Sequence, residues 1–179
     1  MVKIIDNLLP SIFINKLDSL FNGPDFPWYF VPKSINTDNN NNQFMFVHSI
    51  LGDEIAPSGP RHFKSPFYDI FEPILYYVDK HLSVNKLIRM KLNLYTNQHK
   101  NIIHTSHYDF TDDKKPANDV NIALFNFTTC NGGTIINDKK YGSVRNQLLI
   151  FDNTCKHAGV TQTDTQRRII MNIGWYKNG

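Results

Sequence analysis

The stretch Lys86 to Tyr95, KLIRMKLNLY, alternates apolar and polar residues with a period of two. Ile88, Met90, Leu92 and Leu94 stand against Arg89, Lys91, Asn93 and Tyr95. Side chains of a strand point to opposite faces in turn, so this pattern marks a half-buried strand. A second run of the same kind closes the chain. Ile169, Met171, Ile173 and Trp175 share one face of it, and Arg168, Ile170, Asn172 and Gly174 share the other. Between the two, Val120 to Phe127, Gly133 to Asn137 and Gln147 to Phe151 read as further short strands bounded by turn residues. Upstream the period is helical. Pro10 opens a run with Phe13, Leu17, Leu20 and Phe21 on one face, stopped by Asn22-Gly23-Pro24. Ser65-Pro66 opens another, with Pro73 inside it predicting a kink or a late start. Short strands with helices segregated ahead of them predict an α+β, mainly β chain, a sandwich or jelly roll flanked by N-terminal helices.

At 179 residues the chain has the length of one domain. We expect a single domain over 1–179, with a helical and looped part over 1–85 and a β core over 86–177. Hydrophobic residues at 41% suffice for a packed core, which excludes a largely disordered chain. No apolar run approaches the length that spans a bilayer, and Asp6 and Pro10 interrupt the place where a secretory signal would need its apolar stretch. Two cysteines, Cys130 and Cys155, are too few for a disulfide scaffold, and the expectation is a cytoplasmic protein. The net charge is +3, and the basic residues lie in scattered pairs, not in a stripe, which disfavours nucleic acid as a partner. The asparagine run Asn39 to Asn42 reads as a solvated loop or hairpin tip.

His107-Tyr108-Asp109 follows the first strand. At period two its imidazole and carboxylate point to the same side and can bind one metal ion together. Seven histidines among sixteen acids yield about 0.6 such pairs by chance, so the pair taken alone reads better as an exposed polar strand end. His157 changes the balance. It follows the buried-type strand ending at Phe151, and two antiparallel strands of a jelly roll can bring it opposite His107 and Asp109. Two imidazoles and one carboxylate form the three-residue face by which non-haem Fe(II) oxygenases hold iron. The helical H-E-x-x-H of zinc hydrolases is absent. Eleven residues beyond His157, Arg168 opens the last strand, where a guanidinium could hold a carboxylate through paired hydrogen bonds. Alternation sends one of Arg167 and Arg168 outward to solvent.

From about Leu87 to Tyr176 the chain resembles the catalytic core of the Fe(II)- and 2-oxoglutarate-dependent dioxygenases, most closely the prolyl-4-hydroxylase-like branch. The resemblance rests on His107-x-Asp109, an Asn131-Gly132-Gly133-Thr134 turn after a strand, the Gln147 to Asp152 strand leading to His157, and the Arg168 strand ending in Gly174-Trp175-Tyr176. It implies a double-stranded β-helix, jelly-roll or cupin-like, with His107, Asp109 and His157 as iron ligands. It further implies Arg168, in preference to Arg167, on the distal carboxylate of 2-oxoglutarate. Tyr95 resembles a strand tyrosine of the co-substrate pocket and reads equally well as an ordinary half-buried tyrosine. Asn93 and Lys91, on its face, are weaker candidates. The implied activity is hydroxylation of a substrate C–H with release of succinate and CO₂. Its partners would be Fe(II), 2-oxoglutarate, O₂ and an unidentified peptide or small-molecule substrate, with ascorbate as an accessory.

The family position two residues after the arginine is often Ser or Thr and is Ile170 here. His104 reads as a surface histidine in preference to a contact to the substrate or to a metal ligand, and His48, His62, His81 and His99 have no ligand spacing. The aromatic cluster Phe26 to Phe30 either covers the back of the sheet, the preferred reading for Trp28 and Phe30, or lines the mouth of the barrel. Two other readings stay open at this point: a metal-binding jelly roll that recognises a ligand without oxygenase turnover, and a cupin-like hydrolase or isomerase on the same metal face.

Overall fold

The computed structural model describes residues 1–32, 43–56 and 59–178, and the asparagine run at 39–42 lies outside the described residues. In chain order the elements are β1 (Lys3–Ile5), α1 (Ser11–Asn22), β2 (Tyr29–Val31), β3 (Met45–Ala56), β4 (Gly59–Lys64), α2 (Tyr68–Phe71), α3 (Pro73–Asp79) and β5 (Lys86–Thr96). They continue with β6 (Thr111–Asp112), β7 (Lys115–Pro116), β8 (Val120–Asn126), β9 (Cys130–Ile136), β10 (Lys139–Ser143), β11 (Gln147–Asp152), β12 (His157–Val160) and β13 (Arg167–Tyr176). Strand accounts for 46% and helix for 15%. No helix of the described residues is long and apolar enough to cross a membrane.

A large antiparallel sheet runs β1-β11-β8-β13-β5-β3-β2, with β4 paired to β3. A small one runs β10-β9-β12, and β6 and β7 form a separate hairpin. One face of the large sheet carries the main core. Leu92, Leu94, Met171 and Ile173 pack there against Leu17 and Phe21 of α1 and Ile74 and Val78 of α3. The opposite face meets the small sheet, where Ile122, Leu124, Leu149 and Ile170 pack with Ile136 of β9. The arrangement is jelly-roll-like. Its inner compartment is bounded by β5 and β13 on one side and β9 and β12 on the other.

The alternation in β5 and β13 places the two faces as the sequence predicts, but both are buried in the centre of β5. The polar face of that strand turns toward the small sheet and not to water. Pro73 divides the second helical run into α2 and α3, because proline lacks the N–H that a continuous helix would donate at that position. The N-terminal part differs from expectation. Besides helices it contributes β1 to β4, and the twelve-residue β3 extends the large sheet beside β5. The sequence concealed these strands, since β1, β2 and β4 are short or lie at edges and β3 does not keep a clean alternation along its length. Trp28 packs on the main core, whereas Phe30 is exposed and rests on Phe44 and Phe46.

The segment Asn131-Gly132-Gly133-Thr134 lies within β9, not in a turn. Its glycines answer to crowding. A Cβ on Gly133 would lie 2.3 Å from the Tyr141 carbonyl oxygen of the paired strand, which cannot move without breaking the ladder. A Cβ on Gly142, directly opposite in register, would meet nothing within 4 Å. Gly133→Ala should therefore destabilise the protein by about 2–3 kcal/mol, while Gly142→Ala stays within about 0.5 kcal/mol of wild type. Paired urea unfolding curves check this, and equal midpoints for the two variants would refute the steric account.

Candidate metal centre

Hydrogen bonds between backbone groups assemble the centre. His107 and His157 form an isolated antiparallel bridge, each backbone N–H donating to the other's carbonyl at 2.9 Å. The segment before it continues the pairing, with the His104 N–H donating to the Gly159 carbonyl and Ile103 bridged to Val160. The loop from 102 to 107 thus extends the small sheet along β12. Asp109 is set by its neighbour: Asn153, fully buried, accepts from the Phe110 N–H and donates to the Phe110 carbonyl at 2.7 Å. Gly174 makes room for the Phe110 ring, because a Cβ there would lie 2.4 Å from a ring carbon.

One ligand atom from each of His107, Asp109 and His157 lies within 4.8 Å of the others. The Nδ1 atoms of His107 and His157 face the Thr105 and Cys155 carbonyls, so each Nδ1 carries the proton and each Nε2 keeps a free lone pair. Asp109 is held on both oxygens. The Arg89 guanidinium donates to Oδ1 at 2.5 Å, and the Asn172 amide donates to Oδ2 at 2.8 Å. Arg89 also bridges to Asn172 at 3.0 Å and lies over the Phe110 ring. Burial alone would raise the Asp109 carboxyl, but Arg89 and both histidines outweigh it and hold the group well below the usual carboxylate range. Desolvation, reinforced by His157, lowers His107.

The inner faces of β5 and β13 form a ladder of facing pairs leading away from the triad: Asn172 with Lys91, Ile170 with Asn93, and Arg168 with Tyr95. Arg168 has no solvent exposure. One nitrogen donates to Thr134 of β9 at 3.0 Å, its guanidinium carbon lies 5.4 Å from the Tyr95 ring centre, and Nε and Nη1 are without partners among the described residues. Arg167 faces outward to the end of α1. Asn93 Oδ1 is likewise buried and unpartnered. All six sequence candidates, His107, Asp109, His157, Arg168, Tyr95 and Asn93, therefore surround one compartment, five of them lining the cavity itself with Arg168 behind Tyr95 and Thr134.

His104 does not lie on the surface as expected. It is buried, lines the same cavity, stacks edge-on against Tyr95 at 5.2 Å, and leaves both ring nitrogens unpartnered. The physical reason is the bridge to β12, which turns this loop residue inward, and nothing in the local sequence signals that. Arg89 and Thr134 were also missed as parts of the site. Arg89 was legible as a member of the polar face of β5, but its acid partner arrives from a loop twenty residues away.

The buried donors fit the groups that the triad implies. Two imidazole nitrogens with lone pairs and an ionised carboxylate suit a divalent transition metal. An enclosed guanidinium without a carboxylate costs several kcal/mol unless an anion reaches it.

Comparison of the fold with known structures gives the same picture. A 2OG-Fe(II) oxygenase-family oxidoreductase from Burkholderia pseudomallei superposes with a TM-score of 0.70 at 10% identity, over 99% of this chain and 86% of that one. The 2OG complex of a viral collagen prolyl hydroxylase from Paramecium bursaria Chlorella virus-1 matches with a TM-score of 0.60 at 15% identity, over 97% and 94%. A prolyl hydroxylase from Trichoplax adhaerens, in complex with a hypoxia inducible factor oxygen degradation domain peptide fragment, matches with a TM-score of 0.65 at 13% identity, over 98% and 83%. The fold is that of the 2-oxoglutarate/Fe(II) oxygenases of known structure. No protein-family model matches the chain, and no curated protein sequence does.

Two outcomes follow from the geometry. Arg89→Met should lower the affinity for Co(II) by roughly 10- to 100-fold, since Asp109 loses the partner that orients it, and Arg89→Lys should recover part of the loss. A titration followed by cobalt visible absorption checks this, and unchanged affinity would contradict the orienting role. The second concerns pH. Desolvation, then Arg168 and His107, push the His104 imidazole down to about 4. An imidazole kept neutral in the fold and protonated near its ordinary value when unfolded stabilises the fold above about pH 6.5. That stability is lost as pH falls toward 4, by about 3 kcal/mol in all. Urea unfolding between pH 4 and 7 should show a correspondingly shallower pH dependence in His104→Asn. An unaltered slope would show that His104 titrates normally.

Proposed function

We propose that the chain is an Fe(II)- and 2-oxoglutarate-dependent oxygenase that hydroxylates a C–H bond of a prolyl or other protein side chain, releasing succinate and CO₂. One observation carries this reading: a His-Asp-His set at one end of a buried compartment, and at the other a fully buried arginine with unused donors. We assign residues 1–179 to one oxygenase domain, with the catalytic double-stranded β-helix over 86–177. Two free thiols are consistent with a reducing, cytoplasmic setting.

His107 Nε2, Asp109 and His157 Nε2 would hold the iron. Bound there, Fe(II) would let O₂, with 2-oxoglutarate as the electron donor, supply the oxidising equivalent that a protein side chain lacks. The chain contributes the rest. Asn172 and Arg89 keep the Asp109 carboxylate ionised and aimed, and the Thr105 and Cys155 carbonyls fix the histidine rings. Arg168, aligned by Thr134, binds and orients the distal carboxylate of 2-oxoglutarate, with Tyr95 walling the pocket and Asn93 offering a further polar contact. Ile170 stands where a hydroxyl donor would add a bond, and His104 presents an unused imidazole at the same depth. Met45, Leu124 and Ile170 supply the apolar part of a lining that is otherwise mainly polar. Ascorbate would serve as an accessory reductant.

Anaerobic addition of Fe(II) and 2-oxoglutarate to the metal-free protein should produce a weak visible charge-transfer band. His157→Ala should abolish it. Arg168→Met should raise the 2-oxoglutarate needed for half-maximal absorbance by roughly 30-fold or more, the loss of about 2–5 kcal/mol expected for breaking a buried charge pair. No band from folded protein at millimolar co-substrate would overturn the oxygenase reading and favour a metal-binding jelly roll without turnover.

A further inference from the structure

Lys91 is a cation inside the compartment with no counter-charge of its own. It lines the same cavity as the triad, on the inner face of β5. Its neighbours in register are Asn172 on β13 and Ser49 on β3, neither of which is an acid. Asp109 is the one carboxylate lining that cavity, and it is occupied by Arg89 and Asn172. Among the described residues Lys91 makes no ion pair and no side-chain hydrogen bond. Burial, reinforced by Arg89, pushes its ammonium down to about 8, so it remains mainly protonated at neutral pH.

Charge makes the case stronger. Lys91 lines the cavity, Arg168 lies behind Tyr95 and Thr134, and Arg89 holds Asp109 from outside it, so three cationic side chains surround the site against Asp109, the one carboxylate lining it among the described residues. A divalent metal and a dianionic co-substrate cancel one another, so loading the site leaves this excess of positive charge in place. Half-burying an ammonium with no partner is unfavourable, and the surrounding fold repays that cost only if an anion arrives. Arg168 faces Tyr95, four residues along β5 from Lys91, a distance of roughly 13 Å on an extended strand. A diacid held at its distal end by Arg168 would commit its other carboxylate to the metal, which leaves Lys91 available to a second anion.

We propose that the primary substrate carries a carboxylate that pairs with Lys91 beside the metal centre. The proposal rests on the oxygenase reading above and narrows it: the substrate is a peptide that presents an acidic group beside the side chain to be hydroxylated, and not a neutral prolyl segment. A carboxylate on Lys91 would also fix which C–H bond faces the triad, as a charge-assisted contact gives position as well as affinity.

The test uses matched pairs, N-acetyl amino acids as free acids and as their neutral amides, added to protein loaded with Mn(II) and saturating 2-oxoglutarate. Binding is read by the shift in melting temperature, and turnover by 2-oxoglutarate consumption with Fe(II) in place of Mn(II). The free acids should bind at least 10-fold more tightly than their amides. Lys91→Met should remove that preference and Lys91→Arg should retain it in part, while the affinity for 2-oxoglutarate falls far less than in Arg168→Met. Amides that bind as well as acids would overturn the proposal. So would a preference that survives Lys91→Met, or a Lys91→Met protein whose main defect is in 2-oxoglutarate binding. Failure of Mn(II) and 2-oxoglutarate to bind at all sinks the oxygenase reading instead. Lys91 is then tested by titrating the metal-free protein with acetate against acetamide. Acetate stabilisation that is reduced in Lys91→Met supports the anion site, and stabilisation identical to wild type refutes it.

Discussion

The antiparallel register between β5 and β13 governs the rest of this molecule. It sets Arg168 against Tyr95, Ile170 against Asn93, Asn172 against Lys91 and Gly174 against Arg89. A slip of one residue would exchange the two faces, sending the polar set into the main core and the apolar set into the cavity. Ten residues of β13 pair with β5 and seven of them, Ile170 to Tyr176, also pair with β8, so the register is held by hydrogen bonds on either edge. Met90, Leu92, Leu94, Ile169, Met171 and Ile173 add the energetic penalty against slipping, since all lie in the core against α1 and α3. The stability of one face thereby fixes the chemistry of the other.

The small sheet supplies what the large sheet cannot. His157, Gly159 and Thr134 come from β12 and β9, and the loop holding His104 and His107 is drawn onto β12 by backbone hydrogen bonds. Close packing of the two sheets has a steric requirement. A Cβ on Gly159 would lie 3.1 Å from the Tyr95 hydroxyl, and one on Gly174 would collide with Phe110. The glycines are therefore the points at which the second layer approaches the first closely enough to close the compartment.

The compartment is costly in polar terms. Arg168, Asn93 and His104 are all buried with unpartnered atoms and account for most of the unsatisfied buried polar atoms among the described residues, whereas Asn146 and Asn153 are well satisfied. Buried polar groups are normally paired, so unsatisfied atoms concentrated in one place mark a site and not a defect of packing. Arg89 and Asp109 contrast with them. There both carboxylate oxygens are bonded within the protein, which keeps the carboxylate ionised before any ligand arrives.

Much of this was legible in the sequence, for definite physical reasons. A period of two in 86–95 and 168–176 identified both central strands and assigned each residue to its face, because alternation is a property of the extended backbone alone. The His107-x-Asp109 spacing, the distance to His157 and the single buried member of the Arg167-Arg168 pair could be read for the same reason. Other features depended on which segments meet. The strands of the N-terminal part, the inward turn of His104, the Arg89 clamp on Asp109 and the lack of an ion pair for Lys91 among the described residues all arise between residues far apart in the chain. Local sequence carries no record of such partners: the residue types were visible, but only the packing of two sheets decided which charges would be paired and which would be left open for a ligand.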